Sequence, residues 1–413
     1  MLTLFRNRSF RLQWLADLLT SCAFEMEALI LGWYVLSETG SVMLLTLLGA
    51  MQFGGTLISP MFGVMGDRIG HRILLCGMRT AYAVLASILL AVAMSGALTP
   101  TIVFVIAGAT GLVRPSDLGV RLSMMASIVG PQELLAATGV ARTTSDFARV
   151  GGALTGAGMF AAFGIGNAYI AVVAFYVSGL LLTVAIPRAS VVEAHSAAPP
   201  GTRLRPSAWH ELKEGLVYAW STPQLLAALL LAFLVNLSAY PLSNGLLPYV
   251  AKNIYQIDQT GLGYLVASFA AGSLVGSLAV SLHGRSIRPA RVMIITAVAW
   301  YVMLFLFAQV RDHHSAMLLL MLAGMAQSIC MVTLFVVMLR IASDKFRGRV
   351  MGVRMLVIYS LPLGLLGAGA LIDLIGFHAT ATIYAAVGLL LTVAIAVRWH
   401  AVIWHVQTAA NAR

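Results

Sequence analysis

Residues Gly63-Val-Met-Gly66-Asp67-Arg68-Ile-Gly70-His-Arg72 decide the fold. This compact Gly/Asp/Arg cluster sits between two long apolar runs, approximately 42–64 and 73–95. Hydrophobic residues make up 60% of the 413 and charged residues only 10%, where a soluble chain carries roughly a quarter charged. In such a chain, a cluster of this kind answers something other than lipid.

Working outward, twelve apolar runs fall at approximately 11–36, 42–64, 73–95, 100–122, 137–162, 167–187, 223–249, 260–282, 290–310, 315–340, 350–372 and 377–399. Each is near or above the ~20 residues that carry a helix across a hydrocarbon core. Backbone groups in lipid need internal partners, so the runs predict helices and the fold class is an all-α membrane protein with twelve spans. The first run has no cleavage site and is too long for a signal peptide, so it reads as a retained helix. The three cysteines, Cys22, Cys76 and Cys330, all fall inside spans and read as packing residues.

The net charge of +11 is a matter of topology. Arg6, Arg8, Arg11, Arg68, Arg72, Arg79, Arg188, Arg203, Arg205, Lys213, Arg285, Arg288, Arg291, Lys345, Arg347, Arg349, Arg398 and Arg413 gather at the termini and the even-numbered junctions. The odd-numbered junctions carry only Lys252 and Arg311. That bias puts both termini in the cytoplasm and removes nucleic acid as a partner.

The runs divide into six, a break and six. The predicted domains are a bundle at 1–187, a cytosolic linker at 188–221 with a short interfacial helix over 209–220, and a second bundle at 222–413. The halves repeat weakly. Arg285 stands after span 8 as Arg68 does after span 2, and Ser343–Val350 stands after span 10 as Gly130–Ala136 does after span 4.

The loop Gly63-x-x-x-Asp67-Arg68-x-Gly70-x-Arg72 resembles the loop 2–3 signature of the major facilitator superfamily. The resemblance implies two pseudo-symmetric six-helix bundles and alternating access. It also implies that Asp67 meets the amino end of helix 11 as a cytosolic latch, a favourable place for a carboxylate. The gating set is Gly63, Asp67, Arg68, Gly70, Arg72, Arg121, Arg149, Arg347 and Arg349; the competing reading is a generic charged turn. Leu31–Ser41, Pro115, Pro131–Ala136 and Arg347–Gly352 together resemble a bacterial exporter branch that includes enterobactin-type siderophore exporters and drug-efflux proteins. One departure is Arg149-Val-Gly151-Gly152-Ala-Leu-Thr-Gly156, which lacks the proline of the antiporter pattern. Its small-residue spacing still suits close helix packing.

Ionisable residues inside spans are costly, which makes each a candidate for function. Asp17, Ser21, Glu25 and Ala28 share one face of span 1, and Glu27 points about 200° from Glu25 at about 100° per residue. Glu25 is favoured as the cavity acid; the alternative is that either glutamate pairs with an arginine of span 4 or 5. Arg114, Asp117 and Arg121 share a face of span 4, and Arg142, Asp146 and Arg149 repeat the device in span 5. These charges line a cavity or form a structural lattice near the cytosolic ends. In the second half Asn236, Tyr240, Asn244 and Tyr359 are candidate substrate contacts, and Pro241 and Pro248 fit a bent gating helix. The substrate and proton set is therefore Glu25, Glu27, Arg114, Asp117, Asp146, Asn236, Tyr240, Asn244 and Tyr359.

No phosphate-binding Gly-x-x-x-x-Gly-Lys loop is present, and His313-His314 lacks the companions of a metal site. The expectation is a monomeric, non-enzymatic secondary transporter of a bacterial inner membrane, without metal or cofactor. Its partners are the lipid bilayer, protons and a small amphipathic substrate. It exports a siderophore or related metabolite by proton antiport, the alternatives being multidrug efflux, lysophospholipid or lipid translocation, and a non-transporting sensor.

Overall fold

A computed structural model of the chain describes residues 4–56, 58–130, 133–187, 208–283, 288–343 and 346–404. Side chains at 60, 63, 64, 67, 135, 208–212, 283, 347 and 402 lie outside that description. Among the described residues there is no β-strand.

Nine helices among the described residues are long and apolar enough to cross a membrane. One of them, within Leu134–Val184, holds 51 residues. At 1.5 Å per residue that is about 77 Å, more than two hydrocarbon cores. Gly164, at φ 76° and ψ 176°, breaks it. Only glycine visits that region cheaply, and it turns one apolar stretch into spans 5 and 6. Span 1 is Arg8–Thr39, whose interior acids dilute its hydropathy. Span 2 is built of three pieces, Val42–Met51, Gly54–Thr56 and Ser59–Ile69, where the sequence suggested a single helix. With these, the chain makes twelve passes.

The other spans are His71–Met94 (3), Pro100–Ile128 (4), Pro223–Ile254 (7), Gln259–His283 (8), Pro289–Gln309 (9), His313–Ile341 (10), Arg347–Ile375 (11) and Phe377–Arg398 (12). Several begin on caps visible in the sequence. Asn7 Oδ1 accepts from Ser9 N at 2.9 Å, and Asp312 Oδ2 from Ser315 N at 2.9 Å. His313 and His314, which fall between the runs ending at 310 and beginning at 315, form the first turn of span 10.

Span 7 departs furthest from ideal geometry. Pro241 and Pro248 cannot donate backbone hydrogen bonds, and π-helical turns at Val235–Ala239, Pro241–Gly245 and Val250–Ile254 absorb the loss. The expected bend is thus spread over wide turns. Just beyond the span, Gln256 sits at φ 53°.

Two compact units emerge from the packing. The first comprises Met1–Gly201 with Gly245–Ala271; the second comprises Thr202–Asn244 with Gly272–Arg413. In the first, spans 1 and 5 cross tightly at Gly152 and Gly156, where any Cβ would press on the backbone of Cys22 and Met26. This is the small-residue spacing noted in the sequence, used for backbone approach. The segment from spans 7 and 8 joins the same unit: Lys252 Nζ donates to the Leu36 carbonyl at 3.4 Å. In the second unit, Trp300, Tyr301, Leu304 and Phe307 form a fully buried apolar column along span 9. Leu282, Leu374, Leu390 and Val397 stay largely exposed. Such an apolar exterior suits a multi-pass membrane protein, whose solvent is hydrocarbon.

Candidate functional site

The polar interior of the first unit is organised by span 1. Asp17 receives an ion pair from Arg79 of span 3, lies 3.6 Å from Arg121 Nε of span 4, and accepts from Gln13 Nε2 at 2.9 Å. Arg79 also hydrogen-bonds Thr183 and the Gly179 carbonyl of span 6, and it has no exposed surface. Arg121 closes the group through Asp117 and through Ser21 Oγ at 2.9 Å. Four spans thus converge on two arginines and two aspartates whose formal charges cancel. Single buried charges would each cost several kcal/mol, and only this mutual neutralisation makes them tolerable.

A second pair lies further along span 1. Glu25 Oε1 is 3.7 Å from Arg149 Nε of span 5, and both side chains keep about a quarter of their surface exposed (27% and 26%). Glu27, on the opposite face, is buried and held by neutral donors. Tyr176 OH reaches its Oε2 at 2.7 Å and Tyr169 OH its Oε1 at 3.5 Å. Span 1 therefore sends its two glutamates into different environments, as the 100° rule requires.

Arg114 is half-buried. Its Nη1 donates to Gln52 Oε1 at 2.6 Å, and its Cζ lies 4.6 Å above the Phe24 ring. Stacking of this kind suits a guanidinium more than an ammonium. Arg142 Nε lies 3.5 Å from Asp146 Oδ2, but Asp146 has only 1% of its side chain exposed while Arg142 reaches outward.

The sequence placed Arg121 with the latch; here it belongs to the buried group with Asp17 and Asp117. Arg72 Nη2 donates to the Val184 carbonyl at 2.6 Å, so the loop 2–3 motif ties span 3 to the end of span 6. Gly70 takes φ 89° between spans 2 and 3, as a tight turn there demands. The side chains of Asp67 and Arg347, the linker 188–207 and Arg285 lie outside the described residues.

The second unit places its candidates in a neutral network. Gln327 Nε2 donates to Tyr240 OH at 2.6 Å, while Gln327 Oε1 accepts from Ser273 Oγ at 2.8 Å. Ser238 Oγ and Tyr301 OH meet at 2.8 Å, and Tyr240 packs edge-on against Trp300. Asn236 is spent on the Ala232 carbonyl of its own helix at 2.8 Å, and Asn244 lies 3.5 Å from Ser243 Oγ. Tyr359 is half-buried at the break in span 11. The linker helix Ala208–Ser221 docks on the start of span 11. Glu214 pairs with Arg349 at 2.5 Å and Tyr218 stacks on Phe346.

Sequence reading missed Arg79, Tyr169, Tyr176 and Thr183. Arg79 looked like a loop cation at a span boundary, although it falls several residues inside the apolar run beginning at 73. Tyrosines in an apolar run carry no sequence signal of their own. Among the described residues, no group of three or more histidine, cysteine or acidic side chains could hold a metal ion.

Comparison with known proteins bears on this geometry. The family profile described as Major Facilitator Superfamily matches residues 14–362 and again 229–404. A curated relative, the multidrug efflux pump Tap of Mycolicibacterium fortuitum, is 26% identical over 362 residues, covering 84% of this chain and 85% of its own. The solved nucleoside transporter NupG, as its D323A mutant, superposes with a TM-score of 0.74 at 14% identity, covering 97% of this chain and all of its own. The human organic anion transporter MFSD10 (TETRAN) gives 0.63 at 16% identity, covering 94% of this chain and 99% of its own. At those identities the two structures speak for the fold alone.

Proposed function

The chain belongs to the major facilitator superfamily, and on that footing we propose that it exports small amphipathic molecules by alternating access, driven by proton antiport. The observation that carries this is the Glu25–Arg149 pair, a partly exposed acid of span 1 beside a base of span 5, set apart from the buried Asp17 group. An acid with access to water can exchange its proton. When Glu25 is ionised it attracts the electropositive part of a substrate beside Arg149. When Glu25 takes up a proton that attraction is lost and the substrate is released, so substrate and proton use the acid in turn and move in opposite directions. In this reading Arg114, presented over Phe24 in the same unit, offers a further contact. Asp117, Asp146 and Glu27 hold helices rather than cargo. The membrane is the bacterial inner membrane, both termini face the cytoplasm, Asp67 latches the cytosolic side, and the protein works as a monomer.

The likeness to the Tap efflux pump supports broad multidrug efflux. A second reading, export of a siderophore or related metabolite, rests on the branch-like motifs at Leu31–Ser41 and Arg347–Gly352. A deletion strain separates them. Raised susceptibility to several unrelated amphipathic compounds is the expected result. One retained metabolite with unchanged susceptibility would favour the second reading, and neither effect would sink both.

A further inference from the structure

The flank of the first unit carries a groove that the transport reading does not use. It lies between spans 3 and 6, has a volume of about 450 Å³, and is lined by Thr80, Ala83, Ser87, Ala91, Val177 and Leu180 among others. Val84, Ile88 and Val177 beside it are strongly exposed, so the groove opens on the surface that meets hydrocarbon.

Two hydroxyls line it, yet neither offers a donor to a guest. Thr80 Oγ1 donates to the Cys76 carbonyl at 2.9 Å and Ser87 Oγ to the Ala83 carbonyl at 2.7 Å, each within its own helix. The groove recognises shape and apolar surface only. Thr80 to Ala91 spans about 16 Å of helix axis at 1.5 Å per residue, room for a good part of an acyl chain.

The polar end is supplied by Arg72. At 100° per residue Arg72, Cys76, Thr80, Ala83 and Ser87 fall within about 80° of one another, one continuous stripe of span 3. Arg72 stands about 12 Å from Thr80 along the axis. Its Nη2 is fixed on the Val184 carbonyl at the end of span 6, and its Nε is buried without a hydrogen-bond partner among the described residues, which leaves the outer guanidinium edge to face a headgroup. Exposed Arg68 lies one turn before it, across the Gly70 turn. A cation at the head of an apolar trough, with the spacing of a headgroup above its chain, matches one kind of molecule in a bilayer.

We propose that the groove between spans 3 and 6 is a binding site for an anionic phospholipid, with the phosphate on Arg72 and one acyl chain along Thr80–Ala91. Basic residues at the membrane surface favour anionic headgroups, and the trough adds the length of one chain to that attraction.

Native mass spectrometry of the full chain in mild detergent tests the site, titrating phosphatidylglycerol and phosphatidylethanolamine with identical acyl chains. The expected result is one phosphatidylglycerol adduct held about fivefold or more tighter than phosphatidylethanolamine. Arg72→Gln removes that preference. Ser87→Trp, at an exposed position inside the trough, weakens both lipids alike. Millimolar inorganic phosphate leaves the adduct in place. The proposal falls if both lipids bind equally and neither variant changes them. It also falls if inorganic phosphate displaces the lipid, or if a lipid-free dimer of the chain occupies the groove and Ser87→Trp dissociates it. A thermal midpoint unchanged in lipid-free detergent separates lost binding from lost folding.

Discussion

The two units hold their helices together by different means. In the first, spans 1, 3, 4 and 6 meet on charges: Asp17, Arg79, Asp117 and Arg121, with Glu25–Arg149 and the tyrosine-held Glu27 beyond them. In the second, spans 7, 8, 9 and 10 meet on neutral groups: Ser238 with Tyr301, and Ser273 with Gln327 and Tyr240. The six-helix plan tolerates either solution, but their physics differs. A neutral hydrogen bond between membrane helices is worth about 0.6 kcal/mol on average, because separated helices also find partners. An ion pair in the same setting is all-or-none, since removing one partner strands a charge. Groups that can gain or lose a proton are concentrated in the first unit, and that is where coupling chemistry has material to work with.

The comparison breaks most readily at Arg79. Arg79→Met leaves Asp17 buried with one cation instead of two, and the expected loss is about 3–5 kcal/mol of stability. A thermal or denaturant midpoint in detergent reads it. Adding Asp17→Leu to Arg79→Met restores a large part of that loss, because the balanced Asp117–Arg121 pair replaces a half-broken group. If the double variant is worse than the single, the group is not a mutually neutralising lattice. Gln327→Ala, in the second unit, removes two neutral bonds and costs about 1 kcal/mol in the same assay. Tyr301→Phe leaves Ser238 its bond to its own helix carbonyl and costs about 0.6 kcal/mol. Should Gln327→Ala destabilise as much as Arg79→Met, the contrast between the units disappears.

The two units were unequally legible in the sequence. The passes and the loop 2–3 signature were readable because hydrocarbon thickness and backbone hydrogen bonding impose length and composition directly. The opposed faces of Glu25 and Glu27 followed from helical pitch, while pairing with an arginine of span 4 or 5 was only the alternative to reading Glu25 as the cavity acid; Glu25 lies beside Arg149 of span 5. Arg79 was not anticipated. A basic residue near the end of an apolar run counts as topology until a buried acid on another helix is known to meet it. Tyr169 and Tyr176 escaped for the same reason: their role exists only through Glu27 on a helix more than a hundred residues away in sequence. The π-helical turns of span 7 were half visible, since Pro241 and Pro248 announce a disturbance without saying how the backbone absorbs it.

The most direct test of the account is a proton-coupled flux in which the two glutamates of span 1 are separated. Purified protein is reconstituted into vesicles with an acidic lumen, ethidium is added outside, and its accumulation is followed as protons leave. Wild type and Glu27→Gln are expected to accumulate the dye, and Glu25→Gln to lose that accumulation while still folding and still allowing gradient-independent exchange. Equal gradient-driven accumulation by wild type and Glu25→Gln would contradict the account.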